Sequence, residues 1–156
     1  MTGSHSSENI AAENESSLKT LVRAIRLFQG QFGLILMRCN DGALRDAMAQ
    51  RLRELSPAKI REIVLPPSAK SFYTIKAELG DEQPEALMVF GLELVSEIDD
   101  VLLGFTSVHG EPRGSFPFLL LFWVNDEVLE KIRRLTPDLA SWATNIEFVL
   151  TKEDYL

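Results

Sequence analysis

Residues 32–46 read Phe-Gly-Leu-Ile-Leu-Met-Arg-Cys-Asn-Asp-Gly-Ala-Leu-Arg-Asp, an apolar run that ends in a tight polar turn and passes directly into a helical pattern. The run over 32–39 suits a strand covered on both faces, because such strands lack the polar alternation of half-exposed ones. Beyond the turn, Leu44, Ala47, Met48, Leu52 and Leu55 recur at helical spacing. A strand that turns into a helix is a setting in which backbone N–H groups hold phosphate. That task calls for a glycine-rich turn, a Lys for the phosphates and a Ser or Thr hydroxyl for magnesium. The stretch from Asn40 to Arg45 offers one glycine and neither of the others.

Outward from this stretch, strands alternate with helices. Towards the amino terminus, Leu18, Leu21, Val22, Ile25 and Phe28 follow helical spacing, with Ser16 or Ser17 as the cap and Gly30 as the stop. Lys19, Arg23 and Arg26 fall on the opposite face as a basic stripe. Towards the carboxyl terminus, 60–65 reads as a strand stopped by Pro66-Pro67, and 71–79 as a short helix. A third strand lies within 85–92 and a fourth at 118–124, Phe-Leu-Leu-Leu-Phe-Trp-Val. Between them, 96–116 begins as a helix and is interrupted by His109-Gly-Glu-Pro-Arg-Gly-Ser115. Asn125 or Asp126 caps a following helix, Thr136-Pro137 opens a further helical turn, and 146–150 supplies a fifth strand. Such alternation implies right-handed crossovers: an α/β three-layer sandwich with a mostly parallel five-stranded sheet.

The chain of 156 residues is the size of one domain, taken as 18–150, with 1–17 a disordered tail or artificially appended residues and 151–156 a second tail. A net charge of −7 opposes general attraction to nucleic acid or to an anionic membrane surface, and no apolar run is long enough to span a bilayer. The single cysteine rules out an internal disulfide framework, and no secretory signal opens the chain, so the expected compartment is cytoplasmic.

The chain resembles the nucleotide-binding core of STAND-type, AAA-like P-loop NTPases, found in bacterial multidomain signalling proteins. The resemblance covers most of 18–150 and rests on four stretches. They are Leu27-Phe-Gln-Gly-Gln-Phe32, Leu36-Met-Arg-Cys-Asn40 with Leu44-Arg45, Phe118-Leu-Leu-Leu-Phe-Trp-Val124, and the continuation from Asn125 to Trp142. It implies a sheet in which strand one lies between strands four and five and strand three beside strand four, whereas a flavodoxin-like order would put strand one between strands two and three. It also implies where the motifs would fall. Cys39 to Asp46 stands at the Walker A position without its paired glycines or its Lys. Phe90-Gly-Leu-Glu93 stands at Walker B, with Glu93 kept and the preceding acidic ligand replaced by Gly91 or Leu92. With six residues given after Leu150, the helical lid that the resemblance would place next is not expected within this sequence. A pseudo-NTPase fold is implied.

The expectation is therefore a non-catalytic protein–protein interaction or signalling module, with no cofactor and no metal, and with a protein partner or self-association. The alternative is a nucleotide-binding switch with little or no hydrolysis, through the degenerate region Asn40, Asp41, Gly42, Arg45 and Glu93. Asp41 argues against it, since a carboxylate at a helix start occupies the positive end that a phosphate would use. Arg45 is no simple replacement for the Lys, being bulkier and placed on the helix, where it faces solvent or pairs with a carboxylate. Arg23, Arg26, His109 and Arg113 are the expected interaction residues, from the first helix and the irregular 96–116 segment. Cys39 reads as a small buried filler rather than a nucleophile, because only His5 and His109 exist to serve it. Asp41, Glu93, Asp126 and Glu127 gather near the strand ends, where they either meet a cation or basic segment or cap helices. Trp123 and Trp142 read as core or near-core anchors.

Overall fold

The computed structural model describes residues 7–28, 31–71, 73–107 and 118–150. In chain order these form α1 (Ser7–Leu27), β1 (Gly33–Arg38), α2 (Gly42–Leu55), β2 (Ile60–Val64), α3 (Tyr73–Leu79) and β3 (Ala86–Phe90). A 3-10 turn at Leu92–Leu94 leads to α4 (Ile98–Ser107), β4 (Leu119–Val124), α5 (Asp126–Leu135), α6 (Pro137–Trp142) and β5 (Thr144–Glu147). All strand pairs are parallel, and the order across the sheet is β2-β3-β4-β1-β5. Strand one thus lies between strands four and five, the order of the P-loop core and not of the flavodoxin-like alternative.

The central strands are apolar on both faces because both are covered. Along β1, Leu34 and Leu36 point into one core with Val101, Leu102, Ile132 and Leu139, while Ile35 and Met37 point into the other with Leu18, Leu21, Ile25 and Leu52. β4 splits likewise, Leu120 and Phe122 one way, Leu121 and Trp123 the other. A fully buried side chain of this kind contributes roughly 1.5–3 kcal/mol, and the two cores hold the three layers together. Among the described residues no helix is long and apolar enough to cross a membrane.

The largest departure from the sequence expectation is at the amino end. α1 begins at Ser7, so Ser16 and Ser17 lie inside the helix and cap nothing, and residues 7–17 are helical where a tail was expected. Two contacts explain this. Ile10 is buried, and the Asn14 amide, itself buried, donates to the Val149 carbonyl at 2.8 Å and accepts from the Val149 N–H at 3.0 Å. The same clasp corrects the fifth strand, which runs Thr144–Glu147 and not 146–150. Phe148 still donates to the Arg38 carbonyl, but at Val149 the Asn14 side chain takes the place of a neighbouring strand. β3 stops at Phe90, and Trp142 is 45% exposed at the end of α6, so only Trp123 serves as a core anchor. Gly30, most of the interruption in 96–116 and the 151–156 tail lie outside the described residues.

Candidate functional site

The carboxyl ends of β1, β3 and β4 meet the first turns of α2 and α5, and there the structure assembles the residues that the sequence singled out. Only Cys39, Asn40 and Asp41 separate β1 from α2. A turn of this length has too few successive N–H groups to ring a phosphate, which in a P-loop is enclosed by a longer glycine-rich loop. Asp41 is the N-cap of α2, its carboxylate accepting from the Leu44 N–H at 2.8 Å. The positive end of the helix is therefore already met by a carboxylate of the chain itself. Cys39 is buried, and its thiol donates to the Asp41 carbonyl at 3.3 Å, which fits the filler role.

Arg45 does not reach into the turn. Its Nη1 meets the Glu93 carboxylate at 3.2 Å, its Nε meets Asp46 at 3.1 Å, and the guanidinium stands 5.8 Å from the centroid of the Phe90 ring. The turn after β1 and the turn after β3, where the resemblance implies Walker A and Walker B, are thus joined to each other by an ion pair. With about a quarter of each side chain exposed, the pair is only partly screened. Gly91, one of the two positions where the resemblance implies an acidic ligand, has φ +91°. A Cβ there would stand 2.8 Å from the Leu65 carbonyl oxygen, so neither the backbone conformation nor the space admits an aspartate. Leu92 is fully buried and offers no carboxylate position either.

A second ion pair closes the other side. Arg38, the last residue of β1, grips Asp126 through Nε at 2.5 Å and Nη2 at 3.2 Å. Asn40 adds a bond to the same carboxylate at 3.0 Å and accepts from the Asp126 N–H at 2.9 Å. The Arg38 hydrogen bond, helped by Asn40, holds the Asp126 carboxyl below the usual carboxylate range against a smaller opposing effect of burial. Asn125, not Asp126, caps α5, accepting from the Val128 N–H at 2.9 Å. Glu127 is exposed in the first turn of α5. The four carboxylates thus divide into a cap, two ion-paired groups and a solvated one, and among the described residues no cluster of three or more His, Cys, Asp or Glu side chains is arranged to hold a metal.

What space remains is small. A cavity of about 120 Å³ is lined by Cys39, Asn40, Gly42, Arg45, Glu93 and Trp123, with Val124 and Asn125 at its edge. Pockets for drug-sized ligands and cofactors run from roughly 300 to 1,000 Å³, so this one has room for water and not for a nucleotide. On the far side of the Arg45–Glu93 pair, a more open groove of about 300 Å³ runs between Arg53, Glu62, Val64, Phe90 and Leu94. Val64 and Leu94 stand out there at 68% and 63% exposed. The buried Trp123 indole N–H has no acceptor among the described residues, and the ring packs on Phe148 and Phe90 with centroids 5.5 and 6.3 Å away.

No protein-family model matches the chain, and no curated protein matches it. Among solved structures it is similar to a chain of Drosophila ORC bound to AT-rich DNA and Cdc6, at 14% identity and a TM-score of 0.48, over 92% of this chain and 30% of that one. The Aeropyrum pernix ORC2 protein in its ADP form aligns at 12% identity and a TM-score of 0.44, over 83% of this chain and 47% of that one. A chain of Drosophila ORC bound to DNA aligns at 15% and 0.45, over 90% of this chain and 31% of that one. This chain therefore spans less than half the length of each of these structures, and it is the strand order, not these alignments, that carries the fold assignment.

Of the other expected residues, Arg23 and Arg26 lie exposed on α1, away from the strand ends, and among the described residues they hold no carboxylate. His109 and Arg113 lie outside the described residues. Arg38 and Phe90 were not singled out from the sequence. The available signal for Arg38 was a lone cation closing an otherwise apolar strand; Phe90 carried none.

Proposed function

We propose that this chain is a non-catalytic protein–protein interaction module built on a P-loop NTPase-like sheet, of the kind that the STAND-type resemblance places in bacterial multidomain signalling proteins. One observation carries the reading: the phosphate position is taken by the chain's own groups. Asp41 sits on the α2 start, and Arg45 is spent on Glu93 across a cavity of about 120 Å³. Each of the groups a switch would need for phosphate or for water is either missing or bound within the fold. Such a domain works through fixed surfaces. The competing switch reading has in its favour the first two amides of α2, at Gly42 and Ala43, which no intrahelical carbonyl can reach. Against it, a nucleotide would have to displace both the Asp41 cap and the Arg45–Glu93 pair.

Calorimetric titration with ATP, ADP and GTP in magnesium tests the reading. The expected outcome is no binding heat at millimolar nucleotide. A one-site isotherm that is lost on Asn40→Arg or Gly42→Val would overturn it; a Cβ at Gly42 meets only Arg45 Nη2, at 3.8 Å, so the position has room for a first side-chain carbon.

A further inference from the structure

We propose that the first half of α1, residues 7–17, is a displaceable clasp over the β5 edge, and that with the clasp off this edge takes up an extended segment of a partner chain as a further strand. The proposal rests on the interaction-module reading above and names a surface and the chemistry of the partner. Among the described residues β5 is the last strand of the sheet and pairs with β1 alone. Phe148 donates to the Arg38 carbonyl, so by the alternation of a strand the peptide groups of Glu147 and Val149 face off the sheet. α1 meets them with side chains one turn apart. Ser17 Oγ donates to the Glu147 carbonyl at 2.9 Å, and the Asn14 carboxamide donates to the Val149 carbonyl and accepts from its N–H. A carboxamide carries the same donor and acceptor as a peptide group, and Asn14 uses both on Val149, as a facing residue of an antiparallel neighbour would. The edge thus holds a stand-in for its ligand, and the stand-in identifies that ligand as an extended backbone.

The two halves of α1 are held by different means. Leu18, Leu21 and Ile25 belong to the core beneath α1 and α2, whereas Ile10, though buried, belongs to neither core. Glu15 and Arg51 tie the first half to α2, but both side chains are about 40% exposed, so salt screens the pair. A segment fixed mainly by polar contacts opens at a free energy well below that of the whole domain. The opposite edge is guarded in another way. On β2 the Glu62 carbonyl is taken by Arg61 of the same strand at 2.7 Å, a charged side chain that stays with the edge it blunts. The cover of β5 is a separate segment, joined to the domain at one end. Its withdrawal frees the Val149 peptide groups and the place of Ile10, so the partner is an extended segment with an apolar side chain to fill that place. A different chain is preferred to a second copy, because edge-to-edge pairing of two β5 strands centred on Glu147 opposes like charges.

The test has two arms, both on the full chain. In native-state hydrogen exchange followed by nuclear magnetic resonance, the amides of 8–16 and of Val149 are expected to exchange together, at least about a hundredfold faster than those of β1 and β4. Exchange at the rate of β1 overturns the clasp, and this arm needs no variant. The second arm is binding of a labelled peptide, Lys-Thr-Val-Thr-Ile-Thr-Val, read by fluorescence anisotropy up to about 1 mM. Asn14→Ala is expected to tighten binding about tenfold or more, and Ser17→Ala to tighten it less, with the near-ultraviolet circular dichroism of the core unchanged. The same peptide N-methylated at alternate residues has lost the donors a ladder needs and is expected not to bind. Binding that is indifferent to N-methylation or to Asn14→Ala overturns the proposal. So does an Asn14→Ala chain that dimerises and takes no peptide, since its edge then belongs to a second copy. Any of these failures removes this surface and leaves the interaction-module reading standing, whereas nucleotide binding overturns that reading whatever the clasp does.

Discussion

The strand-end turn and the outer face of α1 carry comparable numbers of charged groups and use them in opposite ways. At the turn, Arg38 closes on Asp126 and Arg45 on Glu93, and the α2 start is capped by Asp41. On α1, Lys19, Arg23 and Arg26 point outward with no partner among the described residues. The place where nucleotides are held in P-loop proteins is thus the more self-contained of the two regions, and a helix with no resemblance to an active site is the more available. Chemistry at a site depends on which charges are left to meet a ligand, and not on where the fold customarily keeps them.

The largest way to break this contrast is at the base of the closed region. Gly91→Ala places a Cβ against the Leu65 carbonyl in a left-handed backbone, and is expected to destabilise the fold by roughly 2–4 kcal/mol in denaturant unfolding. A loss below about 0.5 kcal/mol would show that the 91 position is free to carry a side chain. Next comes the pair itself. Arg45→Ala and Glu93→Ala are each expected to cost about 1 kcal/mol, with a coupling of about 0.5–1 kcal/mol in a double-mutant cycle, the range for a partly screened pair. Additive losses would mean that the turn is held shut by something else.

The smallest effect is in the pH dependence. Asp126 has its folded carboxyl lowered by Arg38, so its contribution is complete above the unfolded carboxylate range and is lost as pH falls through the lower folded value. Asp126→Asn is therefore expected to be less stable than the parent at neutral pH, with the gap closing in acid. A gap that stays constant with pH would place the effect in packing and not in charge.

Much of the fold was legible because it is written in local patterns. The runs at 32–39 and 118–124 are apolar without alternation, and the structure buries β1 and β4 on both faces. Val128, Leu129 and Ile132 sit at helical spacing and all are buried on α5. What was not legible depends on residues far apart. The amino half of α1 looks like a polar tail until Val149 supplies the groups that Asn14 holds, 135 positions away. At the site, the missing Lys and the acidic cap were readable from residue types alone. That Arg45 would choose Glu93 was not, because 48 positions separate them and only the β3-β4-β1 order brings the strand ends together. Trp142 was misjudged for a related reason: a large aromatic closes α6, and nothing local says that the tertiary fold leaves it 45% exposed.

The Asn14–Val149 clasp also has a meaning in time. During synthesis the chain emerges from its amino end, so α1 leaves the ribosome before the strands it packs on. Its opening turns are polar and lack the Val149 groups until nearly the whole domain has followed, so they have little to fold against. Closing a contact of such long range is the slow kind of step. The newborn chain is thus expected to carry its amino-terminal segment unsettled until the last strand docks, and the same two hydrogen bonds then serve as the latch that reports completion.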